Sequence, residues 1–181
     1  YGGKTSLATW WVDTHARANA EVVIFANVKG DDAPEEHADA VVTEVEEIPA
    51  AIRSGATVIC LTPTDYDWAA VSRRLKAGVQ ALPDDMEKVV VLDEAPELDE
   101  DALLWFVRVA GNGNSCKSLV LSQAPGDLSM AVRRQCILTW VGPATEDNAH
   151  VFEANQRGNH FQYIRENHDP YDWTVITGPG D

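Results

Sequence analysis

The chain has 181 residues, 14 Lys plus Arg against 29 Asp plus Glu, a formal net charge of −15, and 45% hydrophobic with 8% aromatic residues. These proportions supply enough apolar side chains for the core of one folded domain and exclude a largely disordered chain. No run approaches the roughly 18 consecutive apolar residues of a membrane span, and no signal-peptide pattern is present, so a soluble intracellular protein is expected.

The chain opens Tyr1-Gly2-Gly3-Lys4-Thr5-Ser6 ahead of a helix predicted over 4–19. This is the second half of a G-x-x-x-x-G-K-[ST] phosphate loop, whose first glycine and feeding strand are expected upstream of residue 1. Glycine lets backbone N–H groups close around phosphate oxygens, the helix start adds its dipole, lysine neutralises phosphate charge, and the hydroxyl ligates Mg²⁺. Gly2, Gly3, Lys4, Thr5 and Ser6 are therefore the candidate nucleotide-binding residues, with Thr5 also a candidate Mg²⁺ ligand.

Short β-branched runs at 22–26, 41–45 and 57–61 read as strands, and a helix is predicted over 65–82. Cys60 lies in an apolar run, as does Cys136, while Cys116 lies in a polar stretch. Three such widely spaced residues make neither a disulfide framework nor a zinc site and are read as reduced thiols.

Lys88-Val89-Val90-Val91-Leu92-Asp93-Glu94-Ala95 is an apolar strand ending in two adjacent carboxylates, the Walker B pattern. Such a strand projects its carboxyl end toward the phosphate crevice, where Asp93 can hold Mg²⁺ and Glu94 can polarise the attacking water. A helix over 100–110 leads to a strand at 119–121 and then Ser122-Gln123, broken by Pro125. Gln123 would emerge beside the carboxylates, able to bond both the γ-phosphate and the water. Together the motifs read as an ATP or GTP hydrolase.

A helix over 126–135 and a strand over 137–141 complete the alternation, which argues for an α/β sandwich with a mostly parallel sheet. Beyond it, 160–165 and 173–176 read as an antiparallel pair and Gly178-Pro179-Gly180 as a flexible end. The expected organisation is a core over 1–141, with 142–181 as an extension of the same domain.

The combination of GGKTS, VVIFANVKGDD, VVVLDEAPEL and LVLSQAPGDLSMAVRRQC resembles the FtsK/HerA superfamily of DNA-pumping P-loop ATPases over roughly residues 1–141. The compact length looks most like the genome-packaging ATPases of tailless, membrane-containing double-stranded DNA viruses. The resemblance implies a three-layer P-loop NTPase fold of the RecA/ASCE type with a short C-terminal antiparallel extension. It implies ATP and Mg²⁺ as cofactors, Lys4 and Thr5 at the phosphates, Asp93 at Mg²⁺, Glu94 as catalytic base and Gln123 as sensor. It also implies a homo-oligomeric ring, a hexamer, acting on double-stranded DNA with viral capsid or portal-vertex proteins, in the host cytoplasm or at the packaging vertex.

The chain departs from the family at two places. Where members often have Asp-Pro-Lys-Gly after the second strand, this chain has Asn27-Val28-Lys29-Gly30, keeping Lys29 as a candidate but losing the acid. Where they carry a Gly-Arg finger, this chain has Gly111-Asn112, leaving Arg108, or else Arg133 or Arg134, to neutralise transition-state charge in a neighbouring subunit. Arg73, Arg74 and Lys76 are candidate DNA contacts or a solvated helix face. A cellular or plasmid translocase of the same superfamily shares every motif, and a non-hydrolytic nucleotide-binding module is the alternative from another class. The dispersed carboxylates, with five Lys and nine Arg, suit a hydrated surface in molar salt and point to a halophilic host.

Overall fold

The computed structural model describes residues 3–64, 66–108, 110, 115–123, 125–135, 138–141 and 174–177. It divides into one compact unit over Thr5–Leu121 and another made of Tyr1–Lys4 with Ser122–Asp181.

The first helical stretch runs as α1 (Lys4–Trp11), a π-helical turn (Val12–Ala16) and α2 (Arg17–Asn19), so the helix predicted over 4–19 is widened by one turn at its centre. β1 (Val22–Ala26), α3 (Asp32–Glu36), β2 (Ala40–Val42), α4 (Ile48–Arg53), β3 (Val58–Leu61), α5 (Trp68–Gln80), β4 (Lys88–Leu92), α6 (Glu100–Arg108) and β5 (Cys116–Val120) follow. The strand predicted over 41–45 is shorter because Val45 instead begins a 3₁₀ turn, closed by a capping box between Glu44 and Glu47.

Five strands form one all-parallel sheet in the order β2-β3-β1-β4-β5. Every residue of β1, β3 and β4 is buried, because helices cover both faces at the centre. The edge strands β2 and β5 are only partly covered. Val23, Phe25, Val58, Val89 and Val91 pack on one face with Ala8, Val12 and Ala16, and Trp11 and Ala38 close this layer. Alternate residues point to the other face, which right-handed crossovers assign to α4, α5 and α6. Trp11 is thus a core residue, while Trp10 stays exposed.

The strand predicted over 137–141 does not continue the parallel sheet. It forms β6 (Leu138–Val141), paired antiparallel with β7 (Thr174–Thr177) in a separate two-stranded sheet. The segment 160–165, expected to pair with β7's region, lies outside the described residues, as does Cys136. Ahead of β6, α7 (Met130–Arg133) is shorter than the helix predicted over 126–135, since Pro125–Asp127 forms a 3₁₀ turn. Ser129 caps α7 by accepting from Val132 N.

At the amino edge of the sheet, Lys88 is fully buried. Its ammonium donates to the Pro83 carbonyl at 2.5 Å and the Met86 carbonyl at 2.8 Å, and its N–H donates to Ser115 O at 2.8 Å. These bonds satisfy a charge that would otherwise be prohibitive to bury, and they fasten the α5–β4 turn. Replacing Lys88 with Met should therefore cost about 2–3 kcal/mol by leaving two carbonyls without donors, measured by urea unfolding. Unchanged stability would show that the turn holds itself.

Candidate active site

β1 and β4 lie side by side, with Ala26 in register with Leu92, yet the chain leaves them in opposite directions. From β1 it passes outward to β2, and from β4 to β5 on the other side. This is a topological switch point, where the loops beyond the carboxyl ends of two neighbouring strands diverge and open a crevice. The residues bordering it are Asn27 to Asp31 after β1 and Asp93 and Glu94 after β4.

Asn27 is fully buried at the end of β1. Its Nδ2 donates to Asp31 O at 2.9 Å and its Oδ1 accepts from Asp31 N at 3.0 Å, so one amide closes the loop through both backbone groups of the same residue. Gly30 completes the turn with φ +66°, a conformation that costs a side-chain-bearing residue about 1 kcal/mol or more. Nδ2 also lies 3.3 Å from Thr62 Oγ1, which donates to Glu35 Oε1 at 2.8 Å. The loop is thereby tied to β3 and α3 as well as to its own strand.

On the other side, Asp93 N donates to the Ala26 carbonyl at 3.3 Å, ending the ladder between the central strands. The Asp93 carboxylate is buried and accepts from Glu94 N at 3.0 Å through Oδ1. Glu94 then takes a left-handed backbone with φ 43° and ψ 50°. A non-glycine residue held there stores strain of order 1–3 kcal/mol, kept because its surroundings leave no alternative. The strained turn sends the Glu94 side chain to Lys29, whose ammonium ion-pairs with Oε1. The Glu94 hydrogen bond holds the lysine pKa above its usual value against the lowering effect of burial, and Asp93 and Asp31 reinforce the shift.

Thr5 reaches the same crevice, its Oγ1 donating to Asp31 Oδ2 at 3.3 Å. Hydroxyl and carboxylate oxygens are the donors that a hard cation such as Mg²⁺ takes. Among the described residues no three His, Cys, Asp or Glu side chains gather into a metal cage.

No family model and no curated protein matches the chain. Solved structures do. The genome-packaging NTPase B204 from Sulfolobus turreted icosahedral virus 2, in complex with sulfate, is 12% identical over 99% of this chain and 88% of its own, with a TM-score of 0.76. Its complex with AMPPCP gives 12% identity, 96% and 88% coverage, and a TM-score of 0.71. B204 described as the DNA-packaging ATPase from Sulfolobus turreted icosahedral virus gives 12%, 97% and 87%, and 0.71. The fold is that of a P-loop NTPase.

Within that P-loop NTPase fold, the structure brings Thr5, Lys29, Asp93 and Glu94 to one edge of the sheet. Gly3, with φ +64°, precedes Lys4 and Ser6 in the turn that opens α1, whereas Gly2 lies outside the described residues. Gln123 is exposed and belongs to the second compact unit. Arg108 ends α6, two residues before Ala110, whose carbonyl accepts from Cys116 N at 3.2 Å at the start of β5. Because Cys116 is in register with Lys88, Arg108 sits at the amino edge of the sheet, remote from its own chain's Glu94. In α7, Arg133 has Nε and Nη1 enclosed with no hydrogen-bond partner among the described residues.

Arg73 pairs with Asp99 at 2.8 Å and Arg74 with Glu44 at 3.4 Å, which favours the solvated-face reading of these arginines. Arg73 and the Ala102 N–H hold the Asp99 carboxyl below its usual range, and Asp99 in turn caps α6. Burial pushes the Cys60 and Cys116 thiols up to about 11, so both are inert free cysteines.

Asn27 and Asp31 are the site residues that motif reading missed. A polar residue ending an all-apolar strand, four positions before an acid and with glycine between, is the available signal. Replacing Asn27 with Ala should lower stability by about 2 kcal/mol and speed hydrogen exchange of the Asp31 amide, followed by NMR. Unchanged exchange would mean that the loop closes without the amide.

Proposed function

We propose that the protein is an ATP-hydrolysing DNA translocase that packages a double-stranded viral genome into a preformed capsid. The observation that carries this reading is the convergence of Thr5, Asp93 and Glu94 at the switch point of an all-parallel sheet. Support comes from the B204 likeness in fold and from that protein's complexes with AMPPCP and ATP-gammaS.

In this reading the backbone of Gly2 and Gly3 and the Lys4 ammonium embrace the β- and γ-phosphates. Mg²⁺, held by Thr5 and Asp93, would neutralise charge on the phosphate oxygens. Glu94 orients a water in line with the γ-phosphorus. The water oxygen forms the new P–O bond, its proton passes to Glu94, and the bond to the β–γ bridging oxygen breaks to release ADP. Gln123 senses the γ-phosphate. Arg108, at the far edge of its own sheet, serves the crevice of the next subunit, which requires a ring such as a hexamer.

Glu94→Gln should reduce turnover by at least about 100-fold while leaving nucleotide affinity within about threefold, measured by steady-state hydrolysis and equilibrium binding. Undiminished turnover would remove Glu94 from the chemistry.

The charge supports a halophilic setting. Asp32, Glu36, Glu46, Asp84, Asp85, Glu100 and Asp101 are all exposed. Repulsion between such a surface and DNA reaches about 10 Å at 0.1 M salt but only about 3 Å at 1 M. DNA-stimulated hydrolysis should therefore rise from dilute to molar KCl, opposite to the usual weakening of protein–DNA contacts with salt. Full folding and activity at low salt would assign the acidity another cause.

A further inference from the structure

We infer that Lys29 is a positioning residue that fixes the Glu94 carboxylate for proton transfer; the inference rests on the reading of Glu94 as the base. Lys29 lies within a loop whose ends, Asn27 and Asp31, are joined through the Asn27 amide, so its backbone is set relative to β1. Glu94 is set relative to β4 by its left-handed backbone and its N–H bond to Asp93. The two strands are neighbours in a continuous ladder. The ion pair therefore joins two anchored backbones, unlike the mobile surface pairs that contribute little.

The pair also has an asymmetric environment. Glu94's side chain is 12% exposed and Lys29's 38%, so the carboxylate is enclosed while the ammonium reaches it from the solvent side. Lys29 engages Oε1 and thereby fixes the orientation of the carboxylate. A general base acts through hydrogen-bond reach to its water, and an unrestrained glutamate would sample other rotamers. Lys29 holds the carboxylate and leaves the phosphates to the loop at Lys4. Arginine can retain the charge and reach Oε1, whereas methionine preserves the aliphatic length and removes the donor.

The test compares wild type, Lys29→Met, Lys29→Arg, Glu94→Gln and Lys29→Met/Glu94→Gln in the full chain, measuring kcat, KM for ATP and equilibrium affinity for AMPPCP. Lys29→Met should lower kcat about 10- to 100-fold, leave KM and AMPPCP affinity within about threefold, and add nothing to Glu94→Gln. Lys29→Arg should recover most of kcat. Crystal structures of Lys29→Met should lose the single Glu94 rotamer, a readout independent of turnover. Wild-type kcat in Lys29→Met beside an inactive Glu94→Gln would overturn the inference alone. Loss of AMPPCP affinity, or an unchanged Glu94 rotamer, would overturn it equally. Undiminished turnover in Glu94→Gln would instead overturn the base assignment, and the inference with it.

Discussion

The hydrogen bond from Asp93 N to the Ala26 carbonyl is the last link between the two central strands, and the site depends on it. It sets the Asp93 and Glu94 carboxylates against the loop that follows β1. Beyond this link the chain diverges to opposite sides, so no backbone partner continues the ladder. Side chains must complete the edge: Asn27 toward Asp31, Thr5 toward Asp31, and Lys29 toward Glu94. A crevice is the direct consequence of a parallel sheet whose winding reverses.

The strain at Glu94 has a physical counterpart in that arrangement. A strand leaving the sheet with ordinary backbone angles would continue its alternation. The left-handed residue breaks the period and leads into the Ala95–Glu97 turn, while Ala95 N returns to the Leu121 carbonyl at 2.9 Å. Burial of β4 on both faces and the bond back to Leu121, just after β5, resist relaxation of the turn. The cost of a strained residue is offset by the cooperative pairing of the strands around it.

The central strands were legible because burial on both faces requires uninterrupted apolar runs, as in VVIFA and VVVL. The Asp93-Glu94 pair was legible because carboxylates cannot end such a run without a partner or a task. The left-handed turn at Glu94 was not, since glutamate carries no local preference for it and tertiary pairing imposes it. β2 illustrates the same limit: Val45 has strand propensity, but the Glu44–Glu47 capping box diverts it into a turn. β6 fails differently, because an apolar run identifies a strand without naming its sheet or the direction of its partner.

The departure at Asn27 is explained by the bonds it makes. An aspartate there could accept from Asp31 N but could not donate to Asp31 O, so one half of the loop closure would be lost. It would also place another carboxylate in a fully buried position at the same sheet edge as Asp93 and Glu94, raising the repulsion that Lys29 would have to offset. The amide supplies donor and acceptor without charge. An amide at this position thus keeps the loop closed and leaves Lys29's charge directed to Glu94 rather than to the residue that ends its own strand.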